Sequence, residues 1–451
     1  MDFRFLKLYK IPILLVLSSI AFYFTFAYAL ERHDFIRLIS LYAGLCFFSY
    51  KIIQLHRNNF WFLAGLALVF RLVFMFSLPN LSQDYFRFIW DGRLIAAGWN
   101  PYEFLPVNLV KDPGFYIHQA KDLILGMGSL SAGHYSNYPP VNQLIFAISG
   151  WLSAQSILGA VVIFRLIMIL ADIGTLFFGR KLLRSLGLPE EQIFWYILNP
   201  FIIIEMTGNL HFEAVMVFFL VLSLWLIHRN KWIAGAVVLG LSISVKLLPL
   251  LFLPLFFGYF NKSFQLRNIS KLILFYSLCL LTVALSFLPF YSEEVFSNFM
   301  NSVGLWFGKF EFNASVYYIV RWIGFEVKGY NIIETAGKVL PVITFLSVLF
   351  LSFFRGNYSS RKLIKNMLFA ITVYLLLSTT VHPWYLAIPL ILSILTRFKY
   401  VLVWSGVVML SYYAYSNSGY EENFWLIALE YIAVLSYMVY ELFRKPKPEV
   451  V

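Results

Sequence analysis

Residues 82–106 read SQDYFRFIWDGRLIAAGWNPYEFLP, and this stretch is polar and charged where most of the chain is apolar. It follows the apolar run 61–78 and opens a segment, 79–156, without a clear membrane span. Asp84, Arg87, Asp91 and Arg93 stand close together in it. Ser82 is placed to cap a helix running to about residue 97, which Gly98 and the Asn100-Pro101 turn bring to an end. At ~100° per residue, Asp84, Arg87 and Asp91 share one face of that helix. Phe86, Phe88, Ile89, Trp90 and Ile95 cover its other faces, so the expected element is an amphipathic helix anchored at a membrane boundary by aromatic side chains. Asp84 falls in the first turn, where the helix dipole favours the ionised carboxylate that a general base must present. The plainer alternative is a surface helix with Asp84–Arg87 and Arg87–Asp91 pairs, worth about 0.2–0.5 kcal/mol each.

Composition sets the frame around this cluster. The chain has 451 residues, of which 60% are hydrophobic and 13% charged, with 48 Phe and 28 Tyr. The mean hydropathy is +0.75. These values exclude an ordinary soluble domain and predict an all-α, polytopic membrane protein in one domain, 1–451. Spans are expected near 11–30, 35–54, 60–78, 157–178, 191–206, 212–228, 232–245, 247–260, 270–290, 336–354, 366–381, 384–396, 400–416 and 423–443, about twelve to fourteen in all. Several are too short to cross alone without local thinning of the bilayer.

The net charge of +12 would suggest nucleic acid in a soluble protein. Here the bias of Lys and Arg towards cytoplasmic loops explains it, so no nucleic-acid partner is expected. Basic blocks at 51–57, 180–184, 229–231, 262–271, 355–365, 397–399 and 444–447 alternate correctly when both termini are cytoplasmic. That topology puts 79–156 and 291–335 outside, with 445–451 as a cytoplasmic tail. Residues 141–154 read as a re-entrant or interfacial helix entering after Tyr138-Pro139-Pro140. The N-terminal run is expected to be an uncleaved span, although Ala27-Tyr28-Ala29 resembles a signal-peptide cleavage site. Cys46 and Cys279 fall inside spans, so neither a disulfide nor a thiolate metal site is expected.

Other polar residues gather at the external ends of the expected spans. Asn209, His211 and Glu213 stand at the entrance of a helix whose remainder is nearly all apolar, where a histidine can bind phosphate or shuttle a proton. His382-Pro383-Trp384 repeats the arrangement at a second boundary. Lys246 interrupts the apolar stretch 232–260, and a charge in that position calls for an anionic partner, a lipid phosphate or Glu205. Arg71 lies near the outer end of its helix, within reach of the external side. Arg165 and Asp172 share one helix face and read as structural pairs between helices. No Walker A loop, G-x-G-x-x-G or HExxH motif occurs.

The blocks 84–106, HYSNYPPVNQLIFAI (134–148), NPFIIIEMTGNLHFEAVMVFFLVL (199–222), SVKLLPLLFLP (244–254) and VHPWYLAIPL (381–390) resemble, in order and spacing, the GT-C glycosyltransferases. The resemblance is closest to bacterial mannosyltransferase-like members that use polyprenyl-phosphate sugars. It implies an integral-membrane enzyme of the plasma membrane that transfers a sugar, mannose by likeness, from a polyprenyl-phosphate donor to a lipid-linked or cell-envelope glycan at the external face. Transfer would invert the anomeric centre. The family's acidic base on the first large external loop matches Asp84, with Asp91 second. Arg71, Arg87, Asn209, His211, Glu213, Lys246 and His382 are then candidates for holding donor phosphate and substrate. Tyr102, Tyr138, Trp306 and Trp384 are candidates for stacking on sugars. Two spans precede the one feeding the Asp84 loop, a departure from the family's simplest pattern. The large soluble C-terminal domain of some members has no counterpart expected here, so the acceptor is left open. No cofactor is expected; a divalent ion bridging Asp84 and Asp91 is conceivable but not favoured for a monophosphate donor. The competing reading is a transporter or flippase of a lipid-linked sugar, which would show related halves and ionisable residues near the midplane. The gathering of polar clusters at one surface favours the enzyme.

Overall fold

The computed structural model describes residues 3–153, 155–261, 265–308 and 310–444, so the tail 445–451 lies outside the described residues. The described chain is helical, and its one β-type contact is an isolated parallel bridge between Phe312 and Thr380. Twelve helices position the site: α1 (Phe3–Tyr28), α2 (Phe35–His56), α3 (Phe60–Leu72), α4 (Asp84–Ala96), α5 (Pro140–Leu152), α6 (Ile157–Ser185), α7 (Glu213–His228), α8 (Trp232–Val245), α9 (Leu266–Phe287), α10 (Ile333–Phe354), α11 (Ser360–Leu377) and α12 (Phe424–Phe443). Short polar residues start several of them. Asp34, Asn59, Ser156, Ser359 and Asn423 each accept a first-turn backbone N–H, which satisfies donors that the helix itself leaves unpaired.

Six helices among the described residues are long and apolar enough to cross a membrane, and a bent pair, Pro200–Gly208 with Glu213–His228, makes a seventh if counted as one span. Most of the remaining expected spans are short or broken, α11 being a continuous helix of 18 residues. Residues 60–72, 232–245, 248–260 and 383–394 are apolar helices of fewer than 18 residues. Pro249 and Pro254 keep Leu248–Leu255 in a 3-10 conformation, because a proline lacks the N–H for an α-helical ladder. Of the expected twelve to fourteen spans, six or seven are thus long and apolar enough to cross alone, and most of the others are shorter apolar helices. Helix α7 shows why hydropathy alone cannot separate the two. It is apolar on every side and buried by α6 and α8, the signature of a core helix as well as of a span.

The charged helix is also interior. Arg87, Phe88, Ile89, Trp90, Asp91 and Arg93 are all buried, so α4 does not lie on the bilayer surface as an amphipathic element. It begins at Asp84, with Ser82 Oγ accepting from the Asp84 amide at 3.3 Å. It is wrapped by α5, the 120–132 helix and α6. The α4–α5 crossing is close enough to need glycine on both sides. A Cβ at Gly92 would stand 2.1 Å from the Phe146 carbonyl oxygen, and one at Gly150 2.2 Å from that of Gly92. Within the 141–154 segment, residues up to Leu152 thus form a helix packed against α4, α6 and α8.

Polar residues collect at two opposite ends of the bundle. At the end holding the C-terminus of α7, His228 pairs with Ser360 Oγ at 3.0 Å and the Ser185 carbonyl at 3.2 Å, while Arg180 and Arg184 both engage Glu190. The other end of α7, at Glu213, holds the cluster described next.

Candidate active site

Helices α7 and α8 form a hairpin, which brings the N-terminus of one beside the C-terminus of the other. The Lys246 ammonium lies 3.1 Å from Glu213 Oε1. Both charges suit their helix ends, the carboxylate at the positive terminus of α7 and the ammonium at the negative terminus of α8. The Lys246 position is fixed from below, because Asn142 of α5 donates to the Val245 carbonyl at 2.7 Å and Ser242 donates to that of Met216 at 2.8 Å. Its anionic partner is therefore Glu213, not Glu205. The ammonium also stands 5.4 Å above the Tyr138 ring.

Glu205 serves another group. It sits in a π-helical turn, Ile203–Gly208, that breaks the chain before α7. Its buried carboxylate accepts from Tyr412 Oη at 2.7 Å and Asn209 Nδ2 at 3.2 Å, and faces His211 Nε2 at 3.4 Å. His211 stacks on Trp384 at 3.8 Å between centroids, and His382 stacks on the same indole at 4.5 Å. Phe312 follows at 5.1 Å from His382. Trp384 is thus engaged by two imidazoles, an arrangement that does not present a free face to a sugar. Burial, reinforced by the nearby His211, Lys246 and Arg32, pushes the His382 imidazolium down to about 3.

Asp84 faces this group from α4. Its carboxylate is half-buried and makes no ion pair or side-chain hydrogen bond among the described residues. Its charge acts on Tyr138, Tyr385 and Tyr415, and the Glu213 charge acts on the first two of these as well. The Tyr138 phenol is held well above its usual range by burial first and by the Asp84 carboxylate second. Asp84, the Lys246–Glu213 pair, His211, His382 and Tyr138 therefore share one site, although they come from distant parts of the sequence.

Other candidates are placed elsewhere. Asp91 is fully buried, with Oδ1 on Arg87 at 2.7 Å and Oδ2 accepting from Ser136 at 2.6 Å and Gln143 at 2.9 Å. Arg87 also binds the carbonyls of Ser131 and His134, so the pair ties α4 to the chain that leads into α5 and forms no Asp84–Arg87 contact. Neither oxygen of Asp91 is left for a substrate hydroxyl or for an ion bridging to Asp84. Arg71 pairs with Asp172 at 2.7 Å inside the bundle. Asp172 is thus paired between helices as expected, and Arg165 donates across to the carbonyls of Met75, Ser77, Thr207 and Gly208. Tyr102 is fully buried among Phe287, Phe290 and Phe299, its hydroxyl donating to the Tyr138 carbonyl at 2.6 Å, where no sugar can stack. The Trp306 side chain lies outside the described residues.

Sequence reasoning missed Arg32, Phe312, Tyr385 and Tyr415. Arg32, in the link between α1 and α2, lies 3.5 Å above the Tyr415 ring. A signal for it existed: it is a basic residue in a link that the charge bias places on the side where Lys and Arg are scarce. The aromatic residues gave none, being lost among many others.

A sequence model described as alpha-(1->6)-mannopyranosyltransferase, N-terminal domain, matches residues 26–260, just over half of the chain. The chain belongs to this mannopyranosyltransferase family. Alpha-(1->6)-mannopyranosyltransferase A of Mycobacterium tuberculosis is 20% identical over 332 residues, covering 70% of this chain and 61% of the relative. The enzyme of the same name from Corynebacterium glutamicum is 22% identical over 182 residues, covering 40% and 35%. Alpha-(1->6)-mannopyranosyltransferase B of that organism is 26% identical over 151 residues, covering 33% and 24%. The chain spans at most about three-fifths of the length of these curated relatives. The family match carries Arg32, Asp84, Tyr138, His211, Glu213 and Lys246; Phe312, His382, Trp384 and Tyr415 lie beyond it.

Proposed function

We propose that this protein transfers mannose from a polyprenyl-phosphate donor to a hydroxyl of a lipid-linked or cell-envelope glycan, with inversion at the anomeric carbon. The observation that carries the reading is the Asp84 carboxylate. Among the described residues it has no cationic partner, whereas Glu213, Glu205 and Asp91 face Lys246, His211 and Arg87. The names of the relatives supply the sugar, and the GT-C resemblance supplies the donor class and the base.

In this mechanism the acceptor hydroxyl sits against Asp84, which takes its proton as the oxygen attacks the anomeric carbon. The bond from that carbon to the phosphate oxygen breaks with its electron pair, and polyprenyl phosphate leaves with added negative charge. Cations and ring N–H groups facing the site meet that charge in a partly dry environment, where they act strongly. The Lys246–Glu213 pair fixes the hairpin floor beneath the reacting atoms. The carrier chain lies between helices while its phosphate reaches the site. A phosphate monoester is a less charged leaving group than a diphosphate, so the reading calls for no metal. The bias of Lys and Arg along the chain supports a site on the external side of the plasma membrane, with both termini cytoplasmic.

Purified Asp84→Asn protein, assayed with a polyprenyl-phosphate mannose and a glycolipid extract as acceptor, is expected to lose transfer while keeping the yield and melting behaviour of the parent. Turnover at the parental rate would overturn Asp84 as the base.

A further inference from the structure

Charge pairing singles out one cation at this site. Lys246 is paired with Glu213 at 3.1 Å and Arg87 with Asp91 at 2.7 Å. His211 faces Glu205 at 3.4 Å. Arg32 makes no ion pair among the described residues, and its buried Nε has no hydrogen-bond partner. The two acids next to it are occupied: Glu31 engages His33 at 3.3 Å, and Asp34 caps α2 through the Arg37 amide at 3.2 Å. The polar neighbour that Arg32 does have is the Tyr415 side chain, over whose ring it lies.

Its location is equally specific. The Arg32 charge acts on His382, Tyr412 and Tyr415, and the Asp84 charge acts on Tyr415 too. Arg32 and Asp84 thus address one ring from within one cluster. The guanidinium rests on the Tyr415 ring and hydrogen-bonds its side chain, and its unpartnered Nε–H leaves part of the fork for a ligand in its plane, where phosphate oxygens fit. A half-buried cation without a counter-ion is costly until an anion joins it.

We infer that Arg32, seated on Tyr415, binds the phosphate anion of a lipid substrate at this site. The inference depends on the proposed function only for the identity of the lipid. Two sources share this chemistry, the prenyl-phosphate donor and the headgroup of an anionic lipid acceptor. Lys246, already neutralised by Glu213, is then a structural partner rather than the phosphate ligand.

The test is equilibrium binding in detergent, with no turnover required, of decaprenyl phosphate, phosphatidylglycerol and uncharged decaprenol to the full chain and to its Arg32→Gln and Arg32→Lys variants. Arg32→Gln should lower affinity for at least one of the two phosphate-bearing lipids by tenfold or more and leave decaprenol binding unchanged, with Arg32→Lys recovering part of the loss. A loss confined to decaprenyl phosphate assigns the site to the donor, and one confined to phosphatidylglycerol assigns it to an acceptor headgroup. Unchanged affinity for both phosphate lipids overturns the inference. So does an equal loss for decaprenol, which would make Arg32 a prop for Tyr415. Full activity in Asp84→Asn together with a phosphate-specific loss in Arg32→Gln would remove the proposed base and leave this anion site standing.

Discussion

The ammonium of Lys246 and the fully buried carboxylate of Glu213, 3.1 Å apart, close the open end of the α7–α8 hairpin. Removing one partner leaves a charge in an apolar setting, whereas removing both leaves none. Lys246→Met is therefore expected to cost roughly 3 kcal/mol of stability, and Lys246→Met with Glu213→Gln to recover most of it. Thermal unfolding in detergent measures both. A double variant as unstable as the single one would show that the pair is not the source of the loss.

The close approach of Gly92 to the Phe146 carbonyl, where a Cβ would stand at 2.1 Å, makes α4 intolerant of even a methyl group. Gly92→Ala is expected to destabilise by about 1–3 kcal/mol or more by forcing α4 from α5. Because Asp84 rides on α4, transfer should fall even in the fraction that remains folded. Melting and specific activity together check this, and a fully active, equally stable variant would contradict the packing.

His382 is neutral across the physiological range, since its folded pKa is pushed from 6.5 down to about 3 by burial and by His211, Lys246 and Arg32. A depressed pKa adds stability that is present above the unfolded value and is lost as pH falls through the folded one. Acid should therefore weaken the fold between about pH 6.5 and 3, and His382→Gln should flatten that dependence. The same variant should leave the shape of the activity profile between about pH 5 and 8 unchanged, as no proton comes or goes at His382 there. Unfolding midpoints and initial rates across pH test the two halves.

Asn313, in a left-handed conformation with φ of +46°, is clamped by Glu422 on its amide at 2.6 Å and by Glu430 on its side chain at 3.2 Å. The clamp sets the strand-like contact in which the Val381 amide donates to the Phe312 carbonyl at 2.8 Å, one residue before His382. Glu422→Ala strands the Asn313 donor and should cost about 1–3 kcal/mol locally. Faster hydrogen exchange at the Phe312 and Val381 amides is the expected readout, and unchanged exchange would count against the clamp.

The helical, membrane-embedded character was legible because apolar runs and basic blocks record the solvent each segment meets. The start of α4 at Asp84 was legible because a charge at the head of a helix stands out in a greasy chain. Which of the expected spans are long and which are short or broken was not legible, since a helix buried by other helices and one bathed in lipid carry the same composition. The α4 helix was misplaced for the converse reason. Its charges suggested a wet surface, but they are satisfied inside by Ser136, Gln143 and backbone carbonyls.

The sequence by itself determined the class of the protein, its membrane setting and the acidic residue at the head of the first long polar segment, all of which depend on local composition and order. The tertiary structure alone decided which charges neutralise one another: Lys246 with Glu213, Arg71 with Asp172, Asp91 with Arg87, and Arg32 with no carboxylate among the described residues. Pairing energy falls off over a few ångströms, and residues far apart in the chain come that close only after the helices have packed.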